Sequence, residues 1–312
     1  MLNRRNFLQK TFFTAGSVVI GPSLMEAAEY LSPQRLVILH TNDVHSRLEP
    51  FPMDGSRNQG QGGVAARAEL IKKIRAENEH VLLLDAGDIF QGTPFFNIYK
   101  GEPEIKAMTA MGYDACTIGN HDFDLGLENL STQLTKHANF PMLVSNYDFT
   151  STEMENKTES YKVFKKGKIK IGVFGLGIAM KGLVPDNLAG NTQYLDPVEK
   201  ANTIAGMLKK NKDCDMVICL SHLGYNYTGE NRISDVLLAK DTRNIDLIIG
   251  GHTHTFLDAP VVVKNKDGDD VIINQVGFAG ILLGRLDFEF SKFNPKKLAG
   301  AHSISVTKKT TE

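Results

Sequence analysis

The stretch Leu36-Val37-Ile38-Leu39-His40-Thr41-Asn42-Asp43-Val44-His45 decides the architecture. Residues 36–40 read as an apolar strand, and a polar cluster follows directly at its C-terminal end. The pattern recurs along the chain. Residues 62–78 read as a helix with apolar Val64, Ala68, Leu70, Ile71 and Ile74, and residues 81–85 as a second strand. A helix over 102–111, a strand over 115–118, a helix over 125–137 and a strand over 142–145 come next. Strands over 161–164 and 169–176 flank Lys166-Gly167-Lys168, a hairpin signal. Asp196-Pro197 opens a helix reaching about residue 210, with proline at the first helical position. Strands over 216–220 and 247–249 enclose a helix over 233–239, and the tail adds strands over 261–264, 271–276 and 282–290. Strand–helix alternation followed by hairpins predicts an α/β protein with mixed sheets packed between helices. No internal repeat or Pro/Gly/Ser-rich linker divides it, so one domain over 34–308 is expected.

Five polar clusters each follow a strand: Thr41-Asn42-Asp43-Val44-His45, Gly87-Asp88, Gly119-Asn120-His121-Asp122-Phe123-Asp124, Ser221-His222 and Gly250-Gly251-His252-Thr253-His254. The C-terminal ends of sheet strands are where loops converge into α/β sites. Taken singly, each cluster has an ordinary structural reading. Asp43 suits a turn, Asp88 a helix N-cap, and His222 a partly buried histidine satisfied by neighbours. His252-x-His254 is the strongest single signal, because alternate residues share one pocket only on tightly curved backbone, which Gly250 and Gly251 permit. Of the nine histidines, five fall in these clusters, and that coincidence favours a joint site.

The residue types then limit the chemistry. Imidazole, carboxylate and an amide oxygen without thiolate suit Zn, Mn, Fe or Co rather than a structural zinc site. Asp43, His45, Asp88, Asn120, His222, His252 and His254 are too many ligands for one tetrahedral ion. They fit two divalent metal ions sharing one carboxylate, at a spacing of about 3.5–4 Å that favours displacement at phosphorus. Asp85, Asp122 and Asp124 are available to hold imidazoles in the required tautomer.

These motifs, in this order, resemble the signature of the calcineurin-like metallophosphoesterases. Gly87-Asp88-x-x-Gln91-Gly92 and Asn120-His121-Asp122-Phe123-Asp124 are similar to the branch holding 5′-nucleotidases, UDP-sugar hydrolases and 2′,3′-cyclic phosphodiesterases. The resemblance spans roughly 36–290. It implies a four-layer αββα sandwich of two mixed β-sheets flanked by helices. It implies one metal held by Asp43, His45, His254 and Asp88, and a second held by Asp88, Asn120, His222 and His252. His121, paired with Asp124, would be catalytic and contact substrate with Asn120, assisting the leaving group while a metal-activated hydroxide attacks phosphorus. Asp122 stands where the family more often has Glu. The resemblance also implies a C-terminal nucleotide-binding domain, and this sequence stops at Glu312, soon after the catalytic segment. Either a separate chain carries that domain, or a small phosphoester is read by the loops 49–61 and 93–99, where Phe51, Phe95, Phe96 and Tyr99 offer stacking surfaces. A non-hydrolytic metal-binding subunit of a two-chain nucleotidase and a sulfur-ester hydrolase share the same motifs.

Composition agrees with an ordinary globular protein: 42% hydrophobic, 23% charged, formal net charge −1. No basic field points to a nucleic-acid partner. Cys116, Cys214 and Cys219 sit in apolar runs and read as buried small hydrophobes. The first thirty residues form a separate unit. Arg4-Arg5-Asn6-Phe7-Leu8-Gln9-Lys10, a short apolar stretch and small residues around Ala27-Ala28 resemble a twin-arginine export signal, which directs the chain to a periplasmic or exported location. The apolar stretch is too short for a membrane span, so no stable anchor is expected after cleavage.

Overall fold

A computed structural model describes residues 33–229, 232–291 and 296–307. The export-signal reading falls on residues 1–30, outside the described residues.

The strands are β1 (Gln34–Thr41), β2 (Val81–Asp85), β3 (Ala115–Cys116), β4 (Tyr147–Asp148), β5 (Tyr161–Lys166), β6 (Ile169–Leu176), β7 (Gln193–Tyr194), β8 (Met216–Ser221), β9 (Leu247–Gly250), β10 (Val261–Lys264), β11 (Asp270–Asn274), β12 (Leu282–Phe290) and β13 (Lys297–Ser305). The helices are α1 (Val64–Glu77), α2 (Pro94–Tyr99), α3 (Glu102–Met111), α4 (Gly126–His137), α5 (Asp186–Ala189), α6 (Pro197–Lys210) and α7 (Asp235–Asp241), with a 3₁₀ turn at His121–Phe123. Two mixed sheets form, ordered β13-β12-β1-β2-β3 and β10-β11-β9-β8-β6-β5, beside a β4-β7 ribbon.

Alternation along the strands produces four layers. In β1, Leu36 and Ile38 enter a core shared with Ile171 and Val173 of β6 and Ile218 and Leu220 of β8, which lies between the two sheets. Val37 and Leu39 point the other way, against Ile71 and Ile74 of α1 and Ile105 and Met108 of α3. On the far side, Val217 and Cys219 of β8 pack under Ala201, Ala205 and Leu208 of α6 and Leu238 of α7. Strands buried on both faces read as continuous apolar runs, which is why β1, β2 and β8 were conspicuous in the sequence. The expected αββα sandwich of two mixed sheets is the observed arrangement.

Residues 142–145 depart from expectation. Met142 and Leu143 form only isolated parallel bridges, to Cys116 and Glu159. The short β3 leaves them no long partner to extend along. Residues 94–99 form α2 instead of a loop, and β13 extends the first sheet beyond the expected tail. All three cysteines are free and buried. No helix among the described residues is long and apolar enough to cross a membrane.

One polar contact crosses the inter-sheet layer. Asn274 of β11 donates through Nδ2 to His40 Nε2 of β1 at 2.8 Å, and the imidazole is fully buried. A protonated ring would turn that acceptor nitrogen into a donor facing an NH₂ group. Burial pushes the His40 pKa down to about 3. The unfolded chain takes up this proton near the ordinary imidazole value while the folded chain refuses it. The contribution is therefore intact above pH ~6.5 and lost as pH falls from there toward 3. Between pH 7 and 5 this residue accounts for about 2 kcal/mol of lost stability. Urea unfolding of the His40→Gln variant at both pH values should lack that part of the slope.

Candidate metal centre

Five loops leave β1, β2, β3, β8 and β9 at their C-terminal ends and meet above the two sheets. Backbone bonds stitch the first two together: Asp43 N–H donates to Gly87 O at 2.9 Å and His45 N–H to Asp88 O at 3.0 Å. His252 N–H donates to both Asp43 carboxylate oxygens, at 2.9 and 3.0 Å. His121 N–H donates to Asp88 Oδ1 at 2.8 Å.

The pocket is as tightly curved as the His252-x-His254 spacing predicts, but the histidines do the bending. Asp43 (φ 50), His45 (φ 50), Asp88 (φ 55), His252 (φ 71) and His254 (φ 51) all occupy the left-handed region. That conformation costs a side-chain-bearing residue roughly 1–2 kcal/mol, so it persists only where surrounding contacts enforce it, as at functional sites. Gly251 serves close approach instead: a Cβ there would meet Ala86 O at 2.8 Å and His222 Nδ1 at 2.9 Å.

The side chains form two groups with one common member. Asp43, His45, Asp88 and His254 make the first, and Asp88, His222 and His252 the second; within each, candidate ligand atoms lie within 4.8 Å of one another. His45 Nε2 and His254 Nε2 face each other at 2.9 Å. His222 Nε2 stands 3.1 Å from Asp88 Oδ2 and 3.9 Å from Asp43 Oδ1. Asn120 brings its Oδ1 to 2.8 Å from His252 Nδ1 and so joins the second group. All seven ligand candidates from the sequence are thus brought together.

This set fits divalent cations. His222 is fully buried, and its Nε2 has no hydrogen-bond partner although it faces two carboxylates. Its other nitrogen is fixed by Ala86 O at 2.7 Å, an arrangement that frees Nε2 for a ligand. Phe90 O holds His45 Nδ1 in the same sense at 3.3 Å. The charges agree. Burial disfavours a charged His222, yet Asp88 and Asp43 push its pKa up to about 10, so two buried carboxylates recruit a proton where positive charge is wanted. Burial, reinforced by His222, holds His252 down at about 4, a neutral imidazole suited to ligation.

His121 and Asp124 stand apart from both groups. His121 Nδ1 lies 2.9 Å from Asp124 Oδ2, and that bond, opposed by burial, raises the imidazole pKa. Its ring is 5.3 Å from the His45 ring, beside the ligand cluster. Asp124 is the one of the three expected carboxylates that holds an imidazole. Asp85 instead accepts from Thr41 Oγ1 at 2.6 Å and Gly87 N–H at 2.9 Å. Asp122 accepts the backbone N–H groups of Asp88, Ile89, Phe90 and Gly119 at 2.8–3.1 Å, pinning the β2 loop to the β3 loop. Asp122→Ala strips four buried donors of their acceptor and should cost at least about 3 kcal/mol, measured by urea unfolding.

Among the aromatic candidates, Phe96 is buried and stacks on Phe90, so it is packing and not a platform. Phe95 and Tyr99 stack on each other at 6.3 Å along α2, and Phe51 lies 4.1 Å beneath the Arg47 guanidinium. Sequence reading passed over two supporting residues. Asn42 donates to Asp43 Oδ2 at 2.6 Å and accepts from Val276 N–H at 3.0 Å. Gln275 donates to Gly251 O at 2.6 Å and accepts from Thr255 N–H at 2.5 Å, shaping the His252–His254 loop from β11. Asn42 lies within a polar cluster already noted; Gln275 gives no local signal.

The two-sheet sandwich with imidazole–carboxylate groups at its strand ends agrees with the family that the sequence matches. Residues 36–256 match the family described as Calcineurin-like phosphoesterase, and the chain belongs to that family. It is 36% identical over 285 residues to the snake venom 5′-nucleotidase of Gloydius brevicauda, covering 85% of this chain and 47% of that protein. It superposes on a 5′-nucleotidase precursor from Thermus thermophilus with TM-score 0.77 and 31% identity, over 88% of this chain and 55% of that one. A calcineurin-like phosphoesterase from Bacillus subtilis gives TM-score 0.69 and 27% identity, over 88% of this chain and 91% of that one. The chain spans about half the length of the 5′-nucleotidases it matches.

Proposed function

We propose that residues 34–308 form the catalytic domain of an exported, two-metal phosphomonoesterase acting on 5′-nucleotides. The observation that carries the reading is the pair of ligand groups sharing Asp88. Asp43, His45, Asp88 and His254 would hold one divalent ion, and Asp88, Asn120, His222 and His252 the other. Ions so held would supply a water of lowered pKa and offset charge on the phosphoryl oxygens. The protein's own residues supply the rest. Asp124 fixes His121 through Nδ1 and favours its protonated form, leaving Nε2 to donate to the departing ester oxygen. Asp88 Oδ1 anchors the His121 backbone, so the proton donor and the shared ligand move as one unit. The nucleotide assignment draws on relatives named 5′-nucleotidases. Export draws on the paired arginines and apolar stretch at the N-terminus.

The test is a substrate panel on the purified chain: 5′-nucleotides, UDP-sugars, cyclic nucleotides and an aryl phosphate, with Mn²⁺ or Zn²⁺. Hydrolysis should favour 5′-nucleotides, vanish on chelation and return with added metal. Turnover that survives complete metal removal contradicts the metal assignment, and preference for a cyclic diester contradicts the substrate.

A further inference from the structure

Two phenylalanines stand at the rim of the ligand cluster and belong to none of the three buried cores. Phe278 lies nearly parallel to His254, with ring centres 5.2 Å apart and planes 15° from each other. Phe256 meets Phe278 edge to face at 6.0 Å and is 47% exposed. His254 in turn lies 4.9 Å from the His45 ring, so the phenylalanine pair continues directly from two candidate metal ligands.

The backbone holds Phe278 in that position from both sides. Gly277 N–H donates to Thr255 O at 2.9 Å, and Asn42 Nδ2 donates to Gly277 O at 2.6 Å. Ala279 N–H donates to Asp43 O at 2.7 Å. The segment is thus tied both to the His254 loop and to the loop that presents Asp43. Gly277 is required here, because a Cβ at that position would strike the Phe256 ring. Ala279 occupies the left-handed region (φ 56), which a side-chain-bearing residue keeps only where its surroundings enforce it. A half-buried apolar ring fixed against a polar ligand cluster suits the stacking of a planar aromatic group.

We propose that Phe278, with Phe256 at its edge, is the platform for the base of a nucleotide whose phosphate lies over the ligand groups. The proposal rests on the phosphoester reading and names the part of the substrate that this chain grips with its own residues. It moves base recognition from the loops 49–61 and 93–99 to the turn between β11 and β12. A phenylalanine face carries no hydrogen-bond donor or acceptor. It therefore separates a nucleotide from a sugar phosphate, and one base from another only weakly.

Calorimetric titration of the Mn²⁺-loaded chain with adenosine reads the platform without any phosphoester. The ratio of kcat/KM for adenosine 5′-monophosphate to that for ribose 5-phosphate reads it during turnover. Phe278→Leu keeps apolar cover on His254 and removes the flat face. It should weaken adenosine binding by about fivefold or more and lower the ratio by a similar factor, the smaller end of what a base stacked on an aromatic ring contributes. Phe278→Tyr should stay at the parent values. Equal adenosine affinity in Phe278→Leu and the parent overturns the proposal. So does recovery of the parent affinity by Phe278→Leu when the metal concentration is raised, because the ring would then serve His254 and not the base. A chain that binds adenosine through Phe278 yet hydrolyses neither ester overturns the hydrolase reading alone.

Discussion

Asp88→Asn is expected to empty both ligand groups and abolish hydrolysis together. Asp88 Oδ2 lies 3.1 Å from His222 Nε2 and 3.7 Å from His45 Nε2, while Oδ1 accepts the His121 N–H. Asparagine keeps the volume but removes the negative charge and turns one oxygen into a donor aimed at imidazole lone pairs. Two dications would then have Asp43 as the one carboxylate left among the ligand candidates. Changes that merely disturb residues supporting a ligand cost 10–100-fold in metal affinity, so loss of a shared ligand should exceed roughly 100-fold. Equilibrium dialysis with elemental analysis measures it. Retention of two tightly held ions by Asp88→Asn contradicts the shared role.

His121→Ala should separate catalysis from metal binding. His121 lies outside both ligand groups and is held by Asp124. Losing a positioned proton donor costs on the order of 10²–10⁴-fold in turnover, while metal content should stay unchanged. Asp124→Asn should lie between the parent and His121→Ala, because the imidazole remains but loses the partner that keeps it protonated. A substrate with a weakly basic leaving group, such as an aryl phosphate, should suffer least, since its departing oxygen needs least protonation. A His121→Ala protein that has lost a metal ion assigns His121 as a ligand and refutes this role.

The site was legible in the sequence because its ligands follow strands buried on both faces. An apolar run such as Leu36 to Leu39 marks a strand, and the polar residues after it mark a strand end. Supporting contacts were less legible because they arise from loops far apart in sequence. Asp122 reads as a candidate partner for histidine, yet it accepts four backbone donors from the β2 and β3 loops, which only the parallel pairing of those strands brings near. Gln275 shapes a loop beginning 24 positions earlier. Helix α2, six residues long, offers too few positions for helical periodicity to emerge. The glycines of the His252 loop were expected to provide curvature; instead Gly251 lets Ala86 and His222 come close, and Gly250 does the same for Asp235 and Gln275.

The most direct test of a two-metal phosphoesterase is hydrolysis of an aryl phosphate by metal-stripped protein, followed as a divalent ion is added back and bound metal is counted in the same samples. Activity should stay low through the first ion per chain and rise to its plateau as the second binds. Full activity with one ion bound, or no hydrolysis with two, contradicts it.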